Sequence, residues 1–207
     1  TIEIPPLRKR PGDASLLANV FARRFAEEQK RGAMTLAADA VDIRKELISS
    51  LNAAGDKIVE LAEATPEAKY AWSPAKGVRT TGQVFVHVVA ANYMLPMMFA
   101  GKKPPVTEDL RALEEHPPAK AKLVQMLKDS FKYAGDCIAA MSDADLAGTA
   151  RMFDGSDGSK MSLLLVTVSH AHEHLGQSIA YARGSGIVPP WTAREEAEAK
   201  KAQEGKK

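Results

Sequence analysis

The run from Val84 to Met98 constrains this chain more than any other stretch. It reads Val-Phe-Val-His-Val-Val-Ala-Ala-Asn-Tyr-Met-Leu-Pro-Met-Met and holds no charged residue. Its Val and Phe content favours a strand by propensity alone. The apolar character nevertheless persists far beyond the about 4–8 residues of an ordinary strand. Val84, His87, Val88, Ala91, Met94 and Leu95 also recur at helical spacing. The run therefore predicts a helix capped by Thr80 or Thr81, with Pro96 kinking it or shortening its last turn. Tyr93, Met94, Met97 and Met98 are read as core, with the alternative that some line a pocket around an ion, and Asn92, well round the helix from His87, is a poor candidate ligand.

Three further segments share this logic. Thr35 to Ala64 carries Ile43, Leu47, Leu51, Ala54, Ile58 and Leu61 as one stripe, and Thr65-Pro66 stops it. Gly55 costs this helix about 1 kcal/mol of propensity. Ala119 to Met141 carries Leu123, Leu127, Phe131, Ala134 and Ile138. Lys160 to Arg183 forms the fourth helix, ended by Gly184 and Gly186 and kept from regrowing by Pro189-Pro190. Four helices with one stripe each give an all-α four-helix bundle of up-and-down type, with residues 101–118 as its one long connection. The alternative is an α/β fold that uses the Val84 and Leu163–Val168 runs as strands.

The remaining segments are read as accessories. Asp13 caps an extra N-terminal helix to about Arg31, striped by Leu16, Leu17, Val20, Phe21 and Phe25 and ended by Gly32. Trp72 is expected to pack over the end of the bundle. Asp154 to Ser159 resembles a calcium loop in composition, but it lacks the spacing and terminal Glu and reads as a turn. Arg194 to Lys207 is charged and reads as a frayed or disordered tail. The expected domains are 1–34, an N-terminal extension; 35–192, the bundle; and 193–207, a charged tail.

Lys and Arg total 28 against 26 Asp and Glu, a net charge of +2. That balance lacks the basic excess of a nucleic-acid binder, so no nucleic-acid partner is expected. The single cysteine, Cys137, excludes an intrachain disulfide and a cysteine-based zinc knuckle, and reads as a buried inert thiol. No apolar run is read as reaching the about 18 residues of a membrane span. No membrane partner is expected, and the expected location is cytoplasmic, with an exported form left open.

Chemistry concentrates at Ser169-His-Ala-His-Glu-His-Leu-Gly-Gln177, which holds three of the five histidines. With about 100° per helical residue, His170 and His174 lie about 40° apart on one face, while His172 is about 200° from His170. His170 and His174 can grip one ion, and His87 on the second helix supplies a third imidazole. Three neutral imidazoles make a nitrogen site for a divalent transition metal with room for water or substrate. Read without a metal, the pair is a hydrogen-bonded interior pair and His87 a satisfied core residue. Gln177, three residues beyond His174 on a neighbouring face, could reach the ligands' outer nitrogens, and Glu173, about 100° from either ligand, could assist or be solvated. His116, between Glu115 and Pro117-Pro118, reads as solvated loop.

Several stretches resemble the DinB/YfiT-like family of metal-binding four-helix bundles over Val41 to Trp191. They are Tyr70-Ala-Trp-Ser-Pro74 with Gly77-Val-Arg-Thr80, Gly82-Gln-Val-Phe-Val-His87, Ala91-Asn-Tyr93, His170 to Gln177, and Gly186-Ile-Val-Pro-Pro190. The resemblance implies ligation of a divalent ion by His87, His170 and His174, and histidine ligands suit Zn, Ni or Fe. It implies a small-molecule substrate, hydrolase or thiol S-transferase chemistry, and a homodimer. The other implied function is a non-catalytic, stress-associated metal-binding bundle. It assigns no catalytic residue beyond the ligands. Many members carry Arg after the last ligand, where this chain has Leu175; that departure leaves the metal site alone but weakens what the resemblance says for an anionic substrate. Separately, Ile4-Pro-Pro-Leu-Arg-Lys-Arg-Pro-Gly-Asp13 with Leu16-Leu-Ala18 and Arg23-Arg-Phe25 resembles a short piece of the AAA+ domain of sigma-54-dependent activators. No phosphate-cradling Gly-x-x-x-x-Gly-Lys-Ser/Thr loop accompanies it, so no ATPase activity is implied.

Overall fold

The computed structural model describes Val20 and residues 42–205. The N-terminal helix, the AAA+-like piece, the boundary at residue 34 and residues 35–41 of the first bundle helix lie outside the described residues. Four long helices carry the fold: α1 Ile43–Ala64, α2 Thr81–Ala100, α4 Lys120–Ala139 and α6 Lys160–Gly184. The short helices α3 Leu110–Glu115 and α5 Asp143–Leu146 lie in the connections, and α7 Pro190–Glu204 follows the bundle. Strands β1 Thr149–Arg151 and β2 Asp157–Ser159 pair antiparallel, with Ala150 opposite Gly158.

Each long helix packs against two others, and the ring runs α1–α4–α2–α6. The consecutive helices α1 and α2 therefore stand on a diagonal, which corrects the expected up-and-down neighbour order. The loop after α1 reaches across the end of the bundle to make this possible. Tyr70 Oη donates to the Ala62 carbonyl at 2.8 Å, and the Trp72 ring meets Tyr181 of α6 edge-on at 5.4 Å between centroids. Trp72 also lies against Gly184. The N-terminal end of α2 thus sits beside the C-terminal end of α6, and the two helices run antiparallel.

The run that imitates a strand is helical because tertiary burial outweighs β-propensity. Val84, Phe85, Val86, Val88 and Val89 are all buried, so α2 has apolar neighbours around most of its circumference. Thr80 Oγ1 accepts from the Gln83 amide, and Gln83 Oε1 accepts from the Thr80 amide, a reciprocal cap that fixes where α2 starts. The helix runs on for four residues past Pro96 and ends at Gly101, which has φ 68°. By length and composition α2 is apolar enough to cross a membrane, which corrects the reading that no run reaches that length. Its burial inside the bundle explains the same composition. Met94 and Met97 are exposed rather than core, because they follow His87 by seven and ten residues along the outer edge of the helix.

Leu51, Ile58, Leu61, Phe85, Phe99, Leu123, Leu127, Ile138, Leu163 and Leu164 fill the centre. Asn92 is buried there and donates to Ser130 Oγ of α4 at 3.2 Å, away from any ligand role. The turn at Asp154 is present, with Asp154 Oδ1 accepting from the Ser156 amide at 2.9 Å and its hydroxyl at 2.7 Å. The flanking strands are too short to show in the sequence pattern. The C-terminal stretch is helix α7 where a frayed tail was expected. Pro190 opens it, and its Ala, Glu, Lys and Gln residues are strong helix formers. Arg194 pairs with Glu60, and Lys57 lies 5.3 Å from the Trp191 ring centre, tying α7 to α1.

Gly55 has a packing purpose beyond its propensity cost. A Cβ there would stand 2.8 Å from Phe131 Cδ1 and 2.9 Å from its Cγ, the rooted side of the ring. A Cβ at Gly135 of α4 meets nothing within 4 Å. Gly135→Ala is expected to raise stability by about 0.5–1 kcal/mol through helix propensity. Gly55→Ala is expected to lower it, because overpacking of about 1–3 kcal/mol exceeds the same gain. Urea denaturation of the two variants checks the opposite signs.

Candidate metal centre

The antiparallel crossing of α2 and α6 turns His87 towards the His170–His174 face. His170 Nε2 lies 3.2 Å from His87 Nε2 and 3.1 Å from His174 Nε2, and one nitrogen of each ring lies within 4.8 Å of the others. The structure thus brings together the three residues selected from the sequence. A tetrahedral zinc with Zn–N bonds of about 2.0–2.1 Å separates its nitrogens by about 3.3 Å, so the two short spacings suit a shared ion.

The outer nitrogens decide which protons the rings carry. Gln177 Nε2 donates to Tyr181 Oη at 3.2 Å, which leaves Gln177 Oε1 to accept from His174 Nδ1 at 2.7 Å. His87 Nδ1 faces Glu114 Oε2 at 3.5 Å. These partners favour the Nδ1–H tautomer of both rings, which directs both Nε2 lone pairs at the centre. His170 Nδ1 is buried and without a hydrogen-bond partner. A trio bound solely by hydrogen bonds would have to share one His170 proton between two acceptors. A cation satisfies all three lone pairs at once.

Burial favours the neutral form of His170 and His87. Burial holds the His170 imidazolium down to about 4, aided by the neighbouring His174, His87 and Arg79. Burial also lowers His87, with Arg79 and His174 adding to it and Glu114 opposing. Neutral imidazole is the metal-binding form.

Gln177 had a visible signal, three residues beyond His174. Glu114 was missed because residues 101–118 read as a plain connection. The signal was Asp109 ahead of Leu-Arg-Ala-Leu-Glu-Glu: its carboxylate caps α3, accepting from the Arg111 amide at 2.9 Å and the Ala112 amide at 3.4 Å. Helix α3 then carries Glu114 to the histidine face. Arg79 Nε donates to Glu114 Oε1 at 2.5 Å, completing a chain Arg79–Glu114–His87. The other candidates lie apart. His172 is exposed with its Nε2 3.0 Å from Ser50 Oγ, Glu173 and His116 are exposed, and Leu175 is buried. Cys137 is buried in α4, and burial pushes its thiol up.

A polar cleft of about 560 Å³ adjoins the centre, lined by Gly77, Val78, Arg79, Gln83, Glu114 and Gln177. Two of its walls, Glu114 and Gln177, are the partners of the histidines' outer nitrogens. A larger groove of about 830 Å³ between α1 and α4 contains none of the histidines.

A family model described as the DinB superfamily matches residues 50–178. A DinB-like protein from Bacillus cereus is similar in structure at 17% identity and a TM-score of 0.59, over 70% of this chain and 95% of that one. YfiT from Bacillus subtilis, a probable metal-dependent hydrolase with an unusual four-helix bundle topology, is similar at 14% identity and a TM-score of 0.57, over 76% and 96%. The DinB-like YjoA of Bacillus subtilis is similar at 18% identity and 0.56, over 69% and 93%. At these identities the structural likeness shows the fold alone. No curated protein matches the chain.

The pH dependence of the metal-free protein follows from the rings. Above the ordinary histidine range near pH 6.5, folded and unfolded chains are both neutral at His170. Below it the unfolded chain takes up a proton that the folded one refuses until about pH 4. Stability is therefore expected to fall between those limits as acid is added. Urea midpoints at pH 7 and 4.5 for wild type and His170→Asn check this, with the variant expected to lose less.

Proposed function

The chain belongs to the DinB superfamily, and from its converging imidazoles we propose that it holds one divalent transition metal ion through His87, His170 and His174 and acts on a small molecule as a metal-dependent enzyme. The observation that carries this reading is the pair of Nε2 spacings at 3.1 and 3.2 Å, with two of the three rings oriented from behind. Nitrogen ligands suit Zn, Ni and Fe. Three protein ligands leave coordination open, as in catalytic rather than closed structural sites. An ion bound there supplies Lewis acidity towards a carbonyl, a water or a thiol.

The chain's own residues prepare the centre. Gln177 and Glu114 hold protons on the outer nitrogens of His174 and His87, and so keep the inner lone pairs aimed inward. Arg79 fixes Glu114 in turn. The reaction classes are hydrolysis, the activity ascribed to YfiT, and transfer of a low-molecular-weight thiol.

Protein purified without a histidine tag is expected to carry, or take up, one divalent ion per chain by elemental analysis. His174→Ala is expected to abolish uptake while retaining the helical circular dichroism spectrum. Gln177→Leu and Glu114→Gln are expected to weaken metal affinity about 10–100-fold through lost orientation. Absence of uptake by the wild type defeats the reading. Hydrolysis and thiol-transfer assays on wild type and His174→Ala decide turnover: equal rates leave a non-catalytic metal-binding bundle.

A further inference from the structure

We propose that the cleft beside the histidines is the subsite for an anionic group of the substrate, a carboxylate or a phosphate, received by the free end of the Arg79 guanidinium and the Gln83 amide. The inference deepens the small-molecule reading above and rests on it for the reacting centre, but its donors are independent of the metal.

Arg79 lies in the loop just before α2, its side chain 45% exposed. Glu114 takes its Nε–H, which pins the guanidinium in place by one edge. The Nη1 and Nη2 atoms have no acceptor among the described residues. They form the planar two-pronged end that matches a carboxylate or phosphate bidentately. Gln83 is held the same way. Its Oε1 is engaged by the Thr80 amide in the cap of α2, so its Nε2 is the free end, and it has no acceptor among the described residues. Both residues line the cleft with Gly77, a short distance along the chain from the cap.

Two anchored side chains with unspent donors facing one space constitute a receptor for acceptor oxygens. Glu114 occupies the same wall, but Arg79 and His87 face both of its oxygens. It therefore balances Arg79's charge without using its outward edge. Selectivity then comes from donor geometry more than from net charge. The cleft meets the metal face through Glu114 and Gln177. A molecule anchored at Arg79 would present its other end to the histidines, and the fixed separation would select among substrates by length. Positioning of this kind raises effective concentration at a reacting centre.

The test is a side-chain NMR titration of ¹⁵N-labelled protein, metal-free and with one equivalent of zinc. Propionate and inorganic phosphate are the probes, added separately. Arg79 Nε–H and the Gln83 side-chain amide are expected to shift saturably with at least one probe, and the responding probe identifies the group. Arg79→Gln is expected to weaken that binding at least about tenfold, the loss of a charge-assisted pair of hydrogen bonds, and Arg79→Lys by less. Gln83→Leu tests the second donor and is expected to weaken binding as well. If neither probe saturates these signals, or if Arg79→Gln binds as tightly as wild type, the subsite does not exist. Zinc uptake is read in the same samples from the histidine ring signals. Saturable anion binding without zinc uptake would sink the metal reading and keep the subsite. Zinc uptake without anion binding would do the reverse.

Discussion

The antiparallel contact between α2 and α6 is the constraint on which the rest hangs. It sets the ring of the bundle, and it alone brings His87 across to His170 and His174. Its register is held at one end by Trp72 wedged against Tyr181 and Gly184. On the α2 side the reciprocal Thr80–Gln83 cap fixes the first turn. A slip of one residue along either helix would rotate a histidine by about 100° and remove it from the centre. The loop between Tyr70 and Thr80 therefore shapes the site without contributing a ligand to it.

Much of this was legible from spacing. A run of fifteen uncharged residues can be satisfied by a helix buried nearly all round, and the i, i+4 histidine pair follows from helical geometry. The neighbour order was not legible. Apolar stripes tell each helix to bury a face, but the stripes of α1, α4 and α6 are compatible with more than one ring order, so α1 and α2 standing diagonally emerges from the folded chain alone. Met94 and Met97 illustrate a related limit. Hydrophobicity marked them as core, whereas their place on the edge shared with His87 leaves them exposed. The tail failed for the opposite reason: charge was read as disorder, although its residues are good helix formers and Arg194 and Trp191 find partners on α1.

Around the histidines the legible and illegible parts divide along chain separation. Gln177 is on the same helix as His174, so its reach is a local question. Glu114 comes from a six-residue helix in the crossover, twenty-seven positions beyond His87; it faces that ring directly and is fixed from its other oxygen by Arg79, which precedes α2. No periodicity links those three residues. Their meeting depends on where α3 packs, and α3 packs against α2. The crossover is thereby part of the centre rather than a spacer between helices.

Considered as protein groups alone, the three rings make a locally adverse arrangement. Three imidazoles crowd one point, two of them committed by Glu114 and Gln177 to present lone pairs. His170 Nδ1 lies buried without a partner, a defect of about 1–3 kcal/mol if it stays unsatisfied. Burial also opposes the second proton that would make His87 and His170 donors at both ring nitrogens. A core selected solely for stability would relieve such strain, for example with apolar side chains like the neighbouring Ala171 and Leu175. The bundle instead holds it in place with rigid helices on both sides and two aimed polar partners. Local frustration held by an otherwise consistent fold is the mark of a functional position rather than of one shaped for stability alone. Here the donor set, three converging imidazole nitrogens with two of the outer nitrogens oriented, suits a divalent metal ion.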